Sequence, residues 1–409
     1  MDRRKFCKSS QLSLATGLVT PFLWARSSAQ GNGPSSIVNT TSGRVQGYMN
    51  DSVEVFRGIP YGAPTSGANR FMPPQEARPW TGVRSTTVFG TRSPQPFRPM
   101  IPEIGDALTG TGAMGEDNLK LNVWTSDTNS NAQKPVLIWF HGGGFRTGSG
   151  NSPFFDGEQL ARYHDMVVVT VTHRLNALGF LYLADAPDER YRESSNMGMQ
   201  DILLALQWVN KNIENFGGDP DNVTIGGQSG GGGKTSILHG MPEARGLFHK
   251  AIIMATIIET AVSALEVEEA VHNRDLLLAR LGLNINNLDA LQEMPFEVII
   301  RSLGRQPGPV TPDNGDLGLR YVPVVDDRVL TLHPFSPEAS PLATEVPIFC
   351  GSNETEGVPY GNPNDDFWNS EPGNLNELVS EIVQSHRISE QEARGLISLY
   401  QSNRPDASY

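Results

Sequence analysis

Cysteine is nearly absent from the sequence. The 409 residues contain two, Cys7 and Cys350, and Cys7 lies in an N-terminal segment that we expect to be removed. A chain left with one cysteine has no internal disulfide, so its stability must come from a packed core, for which this length is ample. Cys350 ends the apolar run Val346–Cys350. We therefore expect its thiol to be buried.

Positive charge is also scarce. Lys and Arg number 32 against 45 Asp and Glu, and the net charge is −13. Residues 1–29 hold five basic residues and one acidic residue, so the rest of the chain carries −17. A surface that acidic repels phosphate groups. Nucleic acid and anionic membranes are therefore not expected partners.

Long hydrophobic runs are missing too, apart from the stretch Leu12–Ala25. A glycine and a proline interrupt it, and it is too short to span a bilayer comfortably. Arg3 and Arg4 precede it and small residues up to Ala29 follow it, an arrangement typical of a twin-arginine export signal. We predict a signal peptide over residues 1–29 and an exported chain, periplasmic or extracellular, without a membrane span. An amphipathic or anchoring helix is the alternative.

Glycine, by contrast, is abundant, with 42 residues. It is concentrated around Ser229, in the pattern Gly227-x-Ser229-x-Gly231. The β-type run Asn222–Ile225 precedes this serine, and a helix can begin at Lys234. A strand, a sharp turn and a helix in this order expose a serine above the carboxyl edge of a parallel sheet, where it can act as a nucleophile.

The five-residue pattern alone is weak evidence, since a glycine-rich chain produces it by chance. An ordinary glycine-rich turn is one alternative. A phosphate-binding loop ending at Gly233-Lys234-Thr235 is another, but that loop requires a glycine where this chain has Gln228. The phosphate-binding loop is therefore rejected.

A second glycine run follows a predicted strand. The strand Lys134–Phe140 is almost continuously apolar, as buried parallel strands are, and His141-Gly-Gly-Gly144 comes directly after it. Glycines leaving a buried strand allow backbone N–H groups to converge on one oxygen atom. This run matches the oxyanion loop that accompanies the serine turn. A merely flexible loop is the alternative.

Strands and helices alternate along the rest of the chain, which indicates an α/β fold with a doubly wound sheet. The predicted strands are two short antiparallel ones within 36–48 and 53–59, followed by 119–124, 134–140, 166–172, 222–225, 249–255 and 346–350. The predicted helices are 198–216, 267–281, 287–303, 374–384 and 389–399.

These motifs together resemble the type B carboxylesterase/lipase family, in its bacterial p-nitrobenzyl-esterase-like branch. The resemblance runs from about Val38 to the C-terminus. It implies one α/β-hydrolase domain over residues 30–409, with a mostly parallel sheet, helices on both faces and a small antiparallel N-terminal portion. The motifs that carry it are Phe56-Arg-Gly-Ile-Pro-Tyr61, Glu116-Asp-x-Leu-x-Leu-Asn-Val123, His141-Gly-Gly-Gly144, His173-Arg-Leu-Asn-x-Leu-Gly-Phe180, Asn196-x-Gly198 and Gly227-Gln-Ser-Gly-Gly-Gly-Gly233.

The resemblance also implies a site and a reaction. Ser229 would be the nucleophile, the backbone N–H groups of Gly143, Gly144 and Gly230 would form the oxyanion hole, and Glu356 would be the triad acid. The substrate would be a small carboxylic ester, hydrolysed without metal or organic cofactor. Acyl and alcohol specificity and oligomeric state stay open.

The assignment of Glu356 as the acid has alternatives. Glu356 follows a predicted strand and lies after Ser229 in the chain, as the triad order requires. Glu354 is the rival if the loop shifts, and a solvated loop carboxylate is the plain alternative. In addition, Ala255 stands where the family has a serine beside the triad, and it cannot hydrogen bond.

The largest departure from the family concerns the general base. The family's catalytic histidine lies roughly a hundred residues after the acid, but only 53 residues follow Glu356 here. His386, the one histidine among them, lacks the expected flanking glycine. We expect the base beyond residue 409 and the chain to be a truncated one. A catalytically silent α/β-hydrolase used for binding is the alternative function.

Overall fold

The computed structural model describes residues 33–96, 109–110, 112–256, 264–304, 319–353, 375–386 and 388–403, with backbone alone at 381 and 384–386. The segment 1–29 and Glu356 lie outside these residues, so the signal, its boundary and the position of the acid stay predictions.

One sheet of ten strands forms the centre of the described chain. Its strands are β1 (Gly33–Thr40), β2 (Gly43–Asn50), β3 (Val53–Pro60), β4 (Val83–Ser85), β5 (Lys120–Thr125), β6 (Lys134–Phe140), β7 (Val167–Thr172), β8 (Gly218–Gln228), β9 (Lys250–Met254) and β10 (Ile348–Gly351).

The strand order is β1-β2-β3-β5-β7-β6-β8-β9-β10, and β4 pairs with β2 off this path. Along this path the pairings from β1 to β5–β7 are antiparallel, whereas β4 pairs in parallel with β2. From β7 onward every pairing is parallel. This mixed sheet, with helices on both faces, confirms the predicted α/β-hydrolase class. The central strands are apolar because both of their faces are covered: every residue of β7 is buried.

Ten α-helices surround or follow the sheet in the described residues. They are α1 (Glu158–His164), α2 (Asn176–Phe180), α3 (Met197–Asn212), α4 (Gly230–Leu238), α5 (Val267–Arg280), α6 (Leu288–Glu293), α7 (Phe296–Ser302), α8 (Pro341–Glu345), α9 (Leu375–His386) and α10 (Glu390–Asn403). None of these described helices is long and apolar enough to cross a membrane.

Helix α3 and the sheet share the main hydrophobic core. The predicted apolar face of α3, including Ile202, Leu206 and Val209, is buried against strand residues such as Val136 and Ile225. Phe216 closes this core, with its ring edge-on to Phe56 at a centroid distance of 5.1 Å. The core thus holds the helix that precedes β8 against the strand that carries the serine turn.

Three expectations from the sequence need correction. The helix expected over 287–303 is two helices, α6 and α7, because Pro295 between them cannot continue a helix. Strand β8 begins at Gly218, inside the expected turn. Cys350 was expected to be buried and is exposed. Its strand, β10, is the last of the described sheet and pairs on one side only, with β9.

Candidate active site

Ser229 occupies a sharp turn between β8 and α4. Its backbone has φ 56° and ψ −125°, and α4 begins at the next residue. A positive φ is uncommon for a residue with a side chain and costs free energy, so the surrounding structure must impose it. The Ser229 N–H donates to the Met254 carbonyl at 2.9 Å, and the Ser229 carbonyl accepts from the Gly233 N–H at 3.0 Å. The serine is therefore held by its backbone while its side chain stays partly exposed.

Close backbone packing explains the glycines on either side of Ser229. A Cβ at Gly231 would lie 2.1 Å from the Phe140 carbonyl oxygen, and one at Gly227 would lie 2.4 Å from the Gly231 carbonyl carbon. Backbone atoms cannot move aside as a flexible side chain can. The pattern of glycines at 227 and 231 is thus a packing requirement of this turn, which the ordinary glycine-rich turn does not impose.

The predicted oxyanion glycines come together. Gly143 and Gly144 leave β6 with φ of +89° and +64°, a region that favours glycine. A Cβ on Gly230 would lie 2.3 Å from the Gly144 carbonyl oxygen and 2.4 Å from its Cα. Residues 143, 144 and 230 therefore lie in direct backbone contact, beside Ser229, at the N-terminal end of α4.

The carbonyl groups of this loop are all occupied from within the protein. The Gly142 carbonyl lies 2.8 Å from Nδ1 of His141, which must carry the proton because a carbonyl only accepts. The Gly143 carbonyl accepts from the Thr147 N–H at 3.0 Å. The carbonyls of His141 and Gly144 accept from Lys234 Nζ at 2.8 and 2.9 Å.

Lys234 is a residue of this site that the sequence analysis did not assign to it. The sequence interprets the pair Gly233-Lys234 only as the possible end of a phosphate-binding loop. It also predicts that the helix after Ser229 begins at Lys234. That helix begins at Gly230, so Lys234 lies one turn inside a helix whose residues are all buried. A single lysine directly after four glycines was the available signal, because a fully buried lysine is rare unless it has partners.

Burial lowers the pKa of Lys234 to about 7. Two imidazoles lie nearby, since the rings of His141 and His173 are stacked with centroids 5.0 Å apart. Burial, followed by the charge of Lys234, lowers the pKa of both histidines well below their usual value. Both rings are therefore neutral at physiological pH, and neither turns toward Ser229 in a hydrogen bond.

A buried ion pair fixes the segment that follows β7. Arg174 donates from Nε to Asp201 Oδ2 at 2.9 Å and from Nη2 to Oδ1 at 2.6 Å, and its backbone N–H also reaches Oδ2. The two side chains are 2% and 0% exposed. Since Asp201 lies on α3, the pair ties that helix to the end of β7 and so supports the stacked histidines next to the oxyanion loop.

The acid region is only partly described. The strand β10 that precedes Glu356 lies where the sequence placed it, and Ala255 donates its N–H to the Gly351 carbonyl at 2.7 Å. Ala255 has a φ of 43°.

Among the described residues, no group of three or more His, Cys, Asp or Glu side chains is arranged to hold a metal ion.

The stability of the chain is expected to rise with pH because of Lys234. Its pKa is about 7 in the folded chain but near 10.4 when unfolded, so between these values the unfolded chain binds the extra proton. The free energy of unfolding should therefore increase from pH 7.5 to 9.5, by up to about 1.4 kcal/mol per pH unit from this group. The neutral His141 and His173 add no slope in this range.

Urea unfolding of the wild type and of Lys234→Met, at half-unit steps of pH, measures this effect. The variant should lack the lysine's share of the slope. Parallel pH dependences for the two proteins would mean that Lys234 is charged in the folded chain, in contradiction to the burial argument.

Comparison with known proteins gives one consistent family. A model of the carboxylesterase family matches residues 34–403. A para-nitrobenzyl esterase of Bacillus subtilis is 34% identical over 335 residues, covering 82% of this chain and 66% of that protein. A phenmedipham hydrolase of Pseudarthrobacter oxydans is 34% identical over 329 residues, covering 79% of this chain and 62% of that protein.

Solved structures agree with this result. A carboxylesterase of Geobacillus stearothermophilus superposes with a TM-score of 0.71 at 34% identity, over 86% of this chain and 67% of that one. A PNB esterase gives a TM-score of 0.73 at 31% identity, over 88% and 72%. This chain therefore spans roughly two thirds of the length of such relatives.

Proposed function

Since this chain belongs to the carboxylesterase family, we propose that it hydrolyses small carboxylic esters through an acyl intermediate on Ser229. The observation that carries the proposal is the contact of Gly144 with Gly230 beside the turn at Ser229. This contact brings Ser229 and the backbone of two glycine segments into one small volume, which supports the proposal. That combination serves acyl transfer, because charge develops on the carbonyl oxygen as the nucleophile adds.

The proposed reaction begins with attack of Ser229 Oγ on the ester carbonyl carbon. The Oγ–C bond forms, the carbonyl electron pair moves onto oxygen, and the hydroxyl proton passes to a general base. The N–H groups of Gly143, Gly144 and Gly230 receive the oxyanion. The alcohol then leaves with the proton, and water repeats the sequence to release the acid. Glu356 orients the base and stabilises its charged form.

No hydrogen bond joins a described histidine side chain to Ser229, which supports a base outside those side chains. Nδ1 of His141, His173 and His239 lies against backbone carbonyls, and Nδ1 of His249 accepts from the Val223 N–H. His333 contacts Ala264 and Glu266. The remaining two, His164 and His272, are exposed on helices α1 and α5. We propose that a histidine encoded after Tyr409 supplies the base, as the family resemblance implies.

Active-site labelling tests this function. The chain is prepared in two forms, as the 409 residues and as a completed form that continues with the gene's downstream sequence to the length of its relatives. The completed form should react with a fluorophosphonate probe, with the adduct on Ser229 by peptide mass spectrometry, and should hydrolyse p-nitrophenyl acetate. The 409-residue form should be slower by several orders of magnitude, since a serine without a base is a poor nucleophile.

Two outcomes would change the proposal. An unreactive completed form would favour the alternative, a silent α/β-hydrolase that binds a partner. Equal rates for the two forms would place the base inside the 409 residues, and His386 would be the first residue to replace.

Export is a separate proposal that rests on the sequence of residues 1–29. The pair Arg3-Arg4 before an apolar stretch supports a twin-arginine-like signal. Cell fractionation of a bacterium that expresses the chain decides it, because a cytoplasmic, uncleaved product would remove the assignment.

A further inference from the structure

Lys234 is fully buried, and within the described part of the chain its side-chain nitrogen hydrogen bonds to two backbone carbonyls. Its Nζ donates to the His141 carbonyl at 2.8 Å and to the Gly144 carbonyl at 2.9 Å. It also lies 5.4 Å from the centroid of the Phe145 ring. Among the described residues no carboxylate pairs with it. Burying such a group is costly, so its position calls for an explanation beyond packing.

A direct role as the general base does not fit this geometry. A base must lie within hydrogen-bond reach of the proton it removes. Lys234 Nζ is instead directed to two carbonyls of the oxyanion loop, and no hydrogen bond joins it to Ser229. Both bonds need only two N–H donors, which a neutral amine possesses. The arrangement thus survives loss of the proton and serves the loop in either state.

The consequence for the loop follows from the planarity of the peptide bond. In a trans peptide the C=O of one residue and the N–H of the next point in opposite directions. The carbonyls of Gly142 and Gly143 are held by His141 Nδ1 and the Thr147 N–H, so the N–H groups of Gly143 and Gly144 point the other way. Those are two of the three predicted oxyanion donors.

Lys234 holds the peptides on either side of this pair. It fixes the carbonyl of His141 before the two donor peptides and the carbonyl of Gly144 after them. It also lies on α4, the helix that starts at Gly230 and carries the third donor. One side chain therefore sets the distance between the loop donors and the helix donor, across the contact between Gly144 and Gly230.

We propose that Lys234 is a positioning residue that holds the Gly143 and Gly144 N–H groups in register with Gly230 and Ser229 for the oxyanion. This inference rests on the proposed ester hydrolysis. It adds a residue that acts through backbone carbonyls and does not touch the substrate.

The experiment compares Lys234→Met with the wild type, both in the completed form. Methionine has similar length and no donor. We expect kcat for p-nitrophenyl acetate to fall roughly 10- to 100-fold, because removal of one oxyanion donor outright costs 10²- to 10³-fold in a well-studied protease. KM should stay within about threefold, since the substrate's ground state makes no use of the donors.

The binding of two ketone inhibitors distinguishes misplaced oxyanion donors from a general structural defect. A trifluoromethyl ketone accepts Ser229 Oγ at its carbonyl carbon and leaves the electron pair on oxygen, as in the reaction. Its inhibition constant should weaken by the same factor as kcat/KM. The matching methyl ketone, which binds without forming that oxyanion, should bind both proteins equally.

Thr235→Val is the matched control. Thr235 is the next residue of α4, is also buried, and its hydroxyl donates only to Gly231 within the same helix. It should keep kcat within about threefold. If Lys234→Met does not fold, Lys234→Gln, which retains two donors on a shorter side chain, should give an intermediate kcat.

The outcomes separate this inference from the function. If the wild type does not react, the proposed ester hydrolysis is itself overturned. A reactive wild type whose kcat is unchanged in the folded Met or Gln variant removes the positioning role. Equal weakening of both ketones also overturns the inference, because it indicates a damaged pocket instead of misplaced donors.

Discussion

Ser229→Ala should reduce ester hydrolysis by the completed form by several orders of magnitude. Ser229 lies at the turn between β8 and α4, beside the loop Gly142–Gly144, where the proposed reaction needs its nucleophile. In a serine protease, loss of the nucleophile costs on the order of a million-fold in kcat. The measurement is the initial rate on p-nitrophenyl acetate, together with labelling by the fluorophosphonate probe, which should disappear.

The control for this substitution is Ser302→Ala, on the surface helix α7. Its hydroxyl donates to the Val298 carbonyl in the same helix and has no part in the proposed reaction. Both variants should unfold at the same urea concentration as the wild type. Residual activity of Ser229→Ala above a hundredth of the wild-type rate would show that another nucleophile does the chemistry.

Asp201→Asn should cause the largest loss of stability, roughly 3–5 kcal/mol, because it leaves the buried Arg174 charge without its carboxylate. The substitution keeps the shape of the side chain and removes only its charge and acceptor capacity. Urea unfolding of the 409-residue chain measures the loss. The double variant Arg174→Met/Asp201→Leu should recover more than half of it, since an apolar pair leaves no charge to desolvate.

The matched control is an exposed ion pair. Arg245 and Glu345 lie 2.8 Å apart with side chains 59% and 50% exposed. Glu345→Gln should cost less than about 0.5 kcal/mol, as surface pairs generally do. A loss below about 1 kcal/mol for Asp201→Asn would mean that Arg174 reaches solvent or another anion once the carboxylate is gone.

The sequence predicted the sheet better than the helices around Ser229. Apolar runs such as Lys134–Phe140 and Met166–Thr172 match β6 and β7 within one residue, because buried parallel strands leave a continuous hydrophobic signal. The start of α4 was placed four residues late. Glycine disfavours helix, yet Gly230–Gly233 is helical here, and the backbone contacts of Gly230 with Gly144 and of Gly231 with Phe140 leave no room for a Cβ. Tertiary packing overrode propensity at that place.

The supporting residues of the site were harder to predict for a physical reason. Lys234 reaches His141 and Gly144, about 90 residues earlier in the chain, through hydrogen bonds to backbone atoms. Such bonds leave no pattern in residue identity, because every residue has a carbonyl. The pair of Arg174 and Asp201 is likewise hidden, since charged residues in a sequence ordinarily indicate an exposed surface.

The order of the strands has a consequence for folding while the chain is being synthesised on the ribosome. Strand β8 lies between β6 and β9, and the Ser229 N–H is bound to the carbonyl of Met254 at the end of β9. The unusual backbone of Ser229 thus has its full support only after Met254 has been synthesised. Until then one edge of β8 has no partner strand. The stabilising contacts between β8 and β9 form only after the intervening loop has closed. An early nascent chain therefore carries Ser229 before its backbone can be held in the conformation of the finished turn.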